Sequence, residues 1–200
     1  MKMCKKFIAV LLSTAMFSTA TIQSLLLTGA SDVPEKTAYA TYRVEDADGF
    51  SEGFQFEAAN DGSGGESAKG NGAGEYFVFK NMNFEKNVLQ SITFNSATAA
   101  GGVAQGQYYG KQIEIRIDSL DGDIIGSFAP KNTGNWQNWQ DVDGTIIDKI
   151  SGVHDVYFCY LDGTGNINKI TFNKGASYKY AYDWYNLPDN ADTTLSSPEI

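Results

Sequence analysis

Between Tyr42 and Phe172 no stretch repeats apolar residues at helical spacing over the length of a helix, and that absence limits the chain more than any single motif. What replaces it is a series of short strand-like runs punctuated by Gly, Asn and Asp. The clearest sets Ile113, Ile115 and Ile117 against Gln112, Glu114, Arg116 and Asp118, one buried and one wet face of an antiparallel strand. Asp121–Gly122 follows as a turn signal. Further runs are Tyr42 to Asp46, Phe54 to Ala58, Glu75 to Lys80, Leu89 to Asn95, Ile124 to Phe128, Gln140 to Ile147, Val153 to Leu161 and Ile167 to Phe172. Short strands with this punctuation predict an all-β fold, a β-sandwich jelly roll of two antiparallel sheets.

The first forty residues read as a signal peptide. Lys2, Lys5 and Lys6 precede a mostly apolar run from Phe7 to Leu27, and Ala38-Tyr39-Ala40 supplies a small-x-small cleavage site. Thr28-Gly29-Ala30 is a second, earlier site of the same kind. The run is also nearly long enough to be a retained membrane anchor. Cys4 lies ahead of it, where a lipidated cysteine would have to follow. The expected organisation is residues 1–40 as signal peptide, 41–172 as the sandwich, and 173–200 as a tail. That tail opens with Tyr178, Tyr180, Tyr182, Trp184 and Tyr185, spaced like an added edge strand, and then turns polar.

Residues 1–40 carry four lysines and two acids, so their removal takes the net charge from -9 to -11. A domain this acidic will not seek nucleic acid or an anionic membrane surface. It keeps one cysteine, Cys159, which cannot form an internal disulfide and reads as a small buried hydrophobe.

Asn132 to Gln140 places two of the three tryptophans, Trp136 and Trp139, among Gly, Asn, Thr and Gln. Indoles in a loop the chain cannot easily bury offer a face on which a sugar ring stacks, and amides suit its hydroxyls. Trp136 follows Gly134-Asn135 and is the ligand candidate. Trp139 leads into Gln140-Asp141-Val142 and is expected to pack under the loop. The Gly-rich stretches Asp61 to Gly74 and Ala99 to Gly110 lack the strand–loop–helix context of a phosphate loop and read as long sandwich loops.

These segments, taken in order, resemble family 6 carbohydrate-binding modules over Tyr42 to Phe172. The motifs are Val44-Glu45-Asp46, then Gly74-Glu75-Tyr76-Phe77-Val78-Phe79-Lys80 with Asn83-Phe84, then Ile113-Glu114-Ile115-Arg116-Ile117-Asp118 with Ile125-Gly126. Thr133-Gly134-Asn135-Trp136-Gln137 with Trp139, Gly152-Val153-His154-Asp155-Val156-Tyr157-Phe158 and Asn166-Ile167-Asn168 complete the series. The resemblance implies a loop site in which Trp136 stacks on a sugar and Asn166 bonds its hydroxyls. The second clamping ring of the family falls at Ala68 to Ala73, which has no aromatic; either the clamp is one-sided, which weakens binding, or Tyr108 or Tyr109 of the enlarged loop supplies the second ring. It also implies a second site on the concave sheet face, with Tyr76 and Glu114, and a structural calcium near the first strand with Glu45 as one ligand.

The function so implied is a secreted, non-catalytic module for a β-linked plant polysaccharide, xylan or a related β-glycan, partnered with a glycoside hydrolase. One or two stacking rings and an amide supply about 4 to 6 kcal/mol, so millimolar to tens of micromolar binding is expected. A small jelly-roll glycoside hydrolase or lyase is the alternative, and it needs two carboxylates across a cleft. A cell-surface adhesion domain is the other.

Overall fold

The computed structural model describes residues 33–86 and 89–175. The apolar run Phe7 to Leu27, the Thr28-Gly29-Ala30 motif and the aromatic tail from Tyr178 to Tyr185 lie outside the described residues. Among those described, the strands form two facing sheets of seven and six strands, all paired antiparallel except at one edge. The expected β-sandwich jelly roll is what the chain adopts.

The first sheet runs β1 (Lys36–Thr37), β6 (Tyr76–Asn83), β12 (Val153–Tyr160), β8 (Ile113–Ile117), β9 (Ile124–Phe128) and β11 (Thr145–Ile146), with β3 (Gly49–Phe50) also on β6. The second runs β10 (Asn135–Asp143), β7 (Leu89–Thr98), β13 (Asn166–Lys174), β5 (Glu66–Ala68) and β4 (Phe56–Ala58), with β2 (Thr41–Arg43) also on β13. Period-two alternation sends one set of side chains from each sheet inward. Ile113 and Ile115 of β8, Phe158 and Tyr160 of β12, Phe94 and Ile92 of β7, and Ile170 and Phe172 of β13 are all buried. Aromatic rings knit the layers: Phe94 of one sheet stacks on Phe128 of the other at 4.1 Å, and Phe158 meets Phe172 edge-on at 6.3 Å. Such pairs add about 0.5–1.5 kcal/mol each beyond the area they bury.

Two runs that read as single strands are split where the chain changes sheets. Tyr42 to Asp46 is strand only through Arg43, and Val44–Asp46 is a 3₁₀ turn that carries the chain toward β3. Gln140 to Ile147 breaks at Gly144, between β10 in one sheet and β11 in the other. A Cβ there would stand 2.9 Å from the Ser127 carbonyl oxygen and 3.0 Å from Phe94, so the crossing needs glycine. Hydrophobic pattern alone does not mark such a corner, because both halves alternate correctly.

The fold also starts earlier than the sequence suggests. Lys36 and Thr37 pair in parallel with Met82 and Asn83, and the Ala38 amide donates to the Asn83 carbonyl at 2.9 Å. Ala38 is fully buried, and Tyr39 packs edge-on against Phe84 at 6.1 Å. The boundary expected after Ala40 therefore falls inside the sandwich.

Cys159 is likewise not a core residue. It alternates with Phe158 and Tyr160, so it lies half-buried on the outer face of the first sheet, and burial pushes its thiol pKa up.

Candidate functional site

The Trp136 loop is made by a break in register. From Asn135 to Gln140 the chain advances five residues while its partner on β7 moves only from Thr98 to Ser96, so the surplus is thrown out of the ladder. Trp136 lies in that excursion and is 39% exposed.

The amides and hydroxyls around it mainly build the loop. The Asn132 carboxamide oxygen accepts the Gly134 amide at 2.8 Å, and Asn135 does the same for Gln137 at 2.8 Å. Thr133, 1% exposed, has its hydroxyl oxygen accepting the Thr98 amide at 3.0 Å, and Asn138 donates to the Thr133 carbonyl at 2.7 Å. Gln137 reaches across to β4, donating to Glu57 at 2.8 Å and accepting from the Asn60 amide at 2.9 Å.

Beside the indole is a cleft of about 420 Å³ lined by Trp136, Glu57, Lys69, Gly70, Gly163 and Asn166. Asn166 is its hub. Its Nδ2 donates to Glu57 Oε1 at 2.6 Å and to the Trp136 carbonyl at 3.1 Å, while its Oδ1 accepts the Gly70 amide at 3.0 Å. Three segments, β4, the bulge of β10 and the connection after β5, are thereby tied to one side chain that is 1% exposed. Both N–H groups are used, leaving one lone pair on Oδ1 for anything else.

Glu57 is the group best placed to meet a solute. Gln137 and Asn166 both donate to its Oε1, which fixes the carboxylate and leaves Oε2 available. Lys69 is exposed at the same cleft. Gly70 and Gly163 pass so closely that a Cβ on Gly163 would sit 2.9 Å from the Gly70 carbonyl oxygen. The stretch Ala68 to Ala73, where the resemblance puts a second ring, does form cleft wall, but with a lysine and bare backbone.

Tyr108 and Tyr109 do not line this cleft. Tyr108 forms an isolated bridge with Lys131 and is 59% exposed. The Tyr109 hydroxyl donates to the Ala100 carbonyl, so it closes its own loop. That loop is latched to the segment before Trp136 by paired backbone bonds of 2.8 Å between Gly106, Gln107 and Asn132. Trp139 is half-buried, its Nε1 enclosed without a hydrogen-bond partner.

Tyr76 and Glu114 lie on the outer face of the first sheet. Register sets Tyr76 beside Cys159 and Cys159 beside Glu114, in one row two strand spacings wide, about 10 Å. Tyr157 packs 6.1 Å from Tyr76. Both Glu114 oxygens are taken, by Lys111 at 2.7 Å and Arg116 at 2.6 Å, and those two cations hold its pKa below the usual carboxylate range. Glu45, on the 3₁₀ turn, lies away from both sites and is bonded by Arg43 and by the Glu66 amide.

The chemistry available at the cleft is recognition. Glu57 is the only acid among its lining residues, whereas glycoside hydrolysis by the usual route takes two. His154 faces Asp118 at 3.0 Å through Nδ1, but its Nε2 meets the carbonyl oxygen of Ser151 at 2.9 Å and so is not turned to a serine hydroxyl. Glu57, Lys69, Gly70 and Gly163 were not legible as site residues. Glu57 sits in an ordinary strand, 109 positions before Asn166.

Comparison with known proteins agrees. Over 95 residues the chain is 32% identical to an arabinoxylan arabinofuranohydrolase of Bacillus subtilis (strain 168), covering 47% of this chain and 17% of the relative. Over 86 residues it is 30% identical to endo-1,4-beta-xylanase A of Thermoclostridium stercorarium, covering 43% and 16%. The chain thus spans about a sixth of the length of these relatives. Among solved structures, a β-1,3-glucan binding family 6 module from Bacillus halodurans has a TM-score of 0.59 at 29% identity, covering 70% of this chain and 99% of that one. A family 6 module from Clostridium cellulolyticum in complex with xylose has a TM-score of 0.57 at 29% identity, covering 69% and 99%. The family described as carbohydrate binding module (family 6), whose members are non-catalytic and found in glycoside hydrolases, matches residues 32–174. With well over half of its length matched and the sandwich and loop cleft in place, the chain belongs to family 6 of the carbohydrate-binding modules.

Proposed function

We propose that the cleft beside Trp136 binds a β-linked plant cell-wall polysaccharide, xylan or a related β-glycan, and that the module is secreted and works with a glycoside hydrolase. The observation that carries this is an exposed indole standing at a cleft with a carboxylate already fixed by two amide donors. A pyranose stacks its C–H face on Trp136, one hydroxyl donates to Glu57 Oε2, and another accepts from the Lys69 ammonium. Asn166 acts by holding these groups in place, with one lone pair left for a hydroxyl. A single ring makes an open platform, so affinity is modest, near a millimolar to tens of micromolar.

The relatives support the substrate class: two act on arabinoxylan or xylan, one module binds β-1,3-glucan and another holds xylose. Affinity electrophoresis through gels of xylan, mixed-linkage β-glucan and β-1,3-glucan tests the reading. Retardation in at least one gel, abolished by Trp136→Ala, is expected; unretarded migration in all three refutes it.

Secretion carries a consequence for processing. Because residues 33–40 belong to the sandwich, the cut that leaves the fold whole follows Ala30, and the exported protein begins at Ser31. N-terminal sequencing of protein from the culture medium checks this, and a Thr41 start contradicts it.

A further inference from the structure

The resemblance to family 6 brings with it a structural calcium near the first strand, and the residues at that corner argue against it. Calcium takes six to eight oxygens, with carboxylates and carbonyls free to turn toward the ion. Here most of those oxygens already accept from donors of the protein, Asn168 Oδ1 alone among them being buried without a hydrogen-bond partner. Glu45 Oε1 accepts from Arg43 Nε, and Glu45 Oε2 accepts the Glu66 amide at 2.7 Å. The same guanidinium donates through its other two nitrogens to the Gly64 carbonyl at 2.6 Å and the Ser63 hydroxyl at 2.8 Å. Asp61 completes the corner. Its Oδ2 receives the Lys169 ammonium at 2.7 Å and the Asn168 amide at 2.8 Å, and lies 3.8 Å from Arg43.

Two cations thus face two carboxylates, and this set is neutral before any ion is added. A divalent cation would have to displace the guanidinium from Glu45 and the Gly64 carbonyl, leaving Arg43 partly buried beside a doubly charged ion. Repulsion between like charges in this half-buried setting opposes that. Among the described residues no group of three or more acidic, His or Cys side chains gathers to replace the lost oxygens.

We propose that Arg43, seconded by Lys169, is the resident cation of this corner, so that the module folds and holds its shape without calcium. The arrangement bears on the cleft. The corner clamps residues 59–65, the connection between β4 and β5; β4 carries Glu57, and β5 runs directly into Lys69 and Gly70. Arg43 thereby fixes one wall of the cleft from a distance. This last consequence rests on the cleft reading above, whereas calcium independence does not.

The test is thermal unfolding of the exported protein in excess calcium and in excess EDTA. The two Tm values are expected to agree within about 1 °C, because an ion that binds only the folded state raises Tm and one that does not bind leaves it unchanged. A Tm several degrees higher in calcium overturns the proposal. Arg43→Gln in EDTA is expected to lose about 4 °C or more, and an unchanged Tm overturns the guanidinium's role. If Arg43→Gln does not fold, calorimetric titration of calcium into the wild-type protein decides. No stoichiometric heat is expected, and saturable binding of one ion overturns the proposal. Gel retardation by polysaccharide is read separately: loss of retardation in both calcium and EDTA speaks against the cleft, and loss in EDTA alone speaks against the calcium-free corner.

Discussion

Trp136 and Trp139 are three residues apart in the bulged stretch of β10, and the environment of each sets a different role. Trp136 presents its ring at the cleft, so Trp136→Ala is expected to weaken polysaccharide binding at least about tenfold, roughly 1.4 kcal/mol, with little change in Tm. Trp139 is half-buried, and Trp139→Ala should lower Tm by several degrees while binding persists; exchanged phenotypes would reverse the assignment. Glu57 separates positioning from recognition in the same way. Glu57→Gln keeps an oxygen for the Gln137 and Asn166 donors but replaces the free acceptor, so affinity should fall about tenfold at constant Tm. Glu57→Ala also takes an acceptor from the buried Asn166 amide and from half-buried Gln137, and should cost about 1–3 kcal/mol of stability. Isothermal titration and thermal unfolding of both variants distinguish the two effects.

The elements that make the site are irregular ones. β10 supplies Trp136 only because its register breaks, the short edge strand β4 supplies Glu57, and Lys69 follows directly on the short β5 beside it. The narrowest fit is where Gly70 and Gly163 meet backbone to backbone, with no flexible side chain to yield. Gly163→Ala should push these loops apart at a cost of about 1–3 kcal/mol, and weaken binding with it, because Asn166 is bonded to Gly70. An unaltered Tm and affinity would show that the loops separate freely. β1 makes a second case. A protein starting at Thr41 loses the buried Ala38 and the packing of Tyr39 on Phe84, and should be less stable by about 2 kcal/mol or more than one starting at Ser31, as denaturant titration would show.

At the scale of the whole molecule, acidic residues dominate the charge, and several are bound to cations in the folded state. Hydrogen bonds from Lys169, then Ser63 and Asn168, hold Asp61 far below the usual carboxylate range. Lys111 and Arg116 do so less strongly for Glu114. For both groups the folded pKa lies below the unfolded value of about 4. Their stabilisation is therefore complete above that pH and is lost as pH falls through it toward the folded values. The expected result is a Tm nearly constant between about pH 7 and 5 that declines below about pH 4. Asp61→Asn should flatten that decline, and an acid limb unchanged by the substitution would remove Asp61 from the account.

Alternation in Ile113 to Ile117 and the runs around Phe77, Phe158 and Phe172 determined the sandwich by themselves, because a period of two assigns a face to every side chain whatever the partner strand. The Trp136 motif was legible for the same local reason: an indole between Gly and amides has no core to enter. What the local pattern did not contain was the crossing at Gly144, the strand at Lys36–Thr37 and the company of Trp136 in the cleft. Glu57, Lys69, Gly163 and Asn166 are scattered over 110 positions and meet only because β4, β5 and β13 share a sheet. The amides that looked like sugar ligands proved largely to be the loop's own hydrogen-bond partners, since a polar side chain in a tight loop satisfies the nearest backbone group first. Residue type told what could be recognised; only the tertiary fold decided which groups were left over to recognise it.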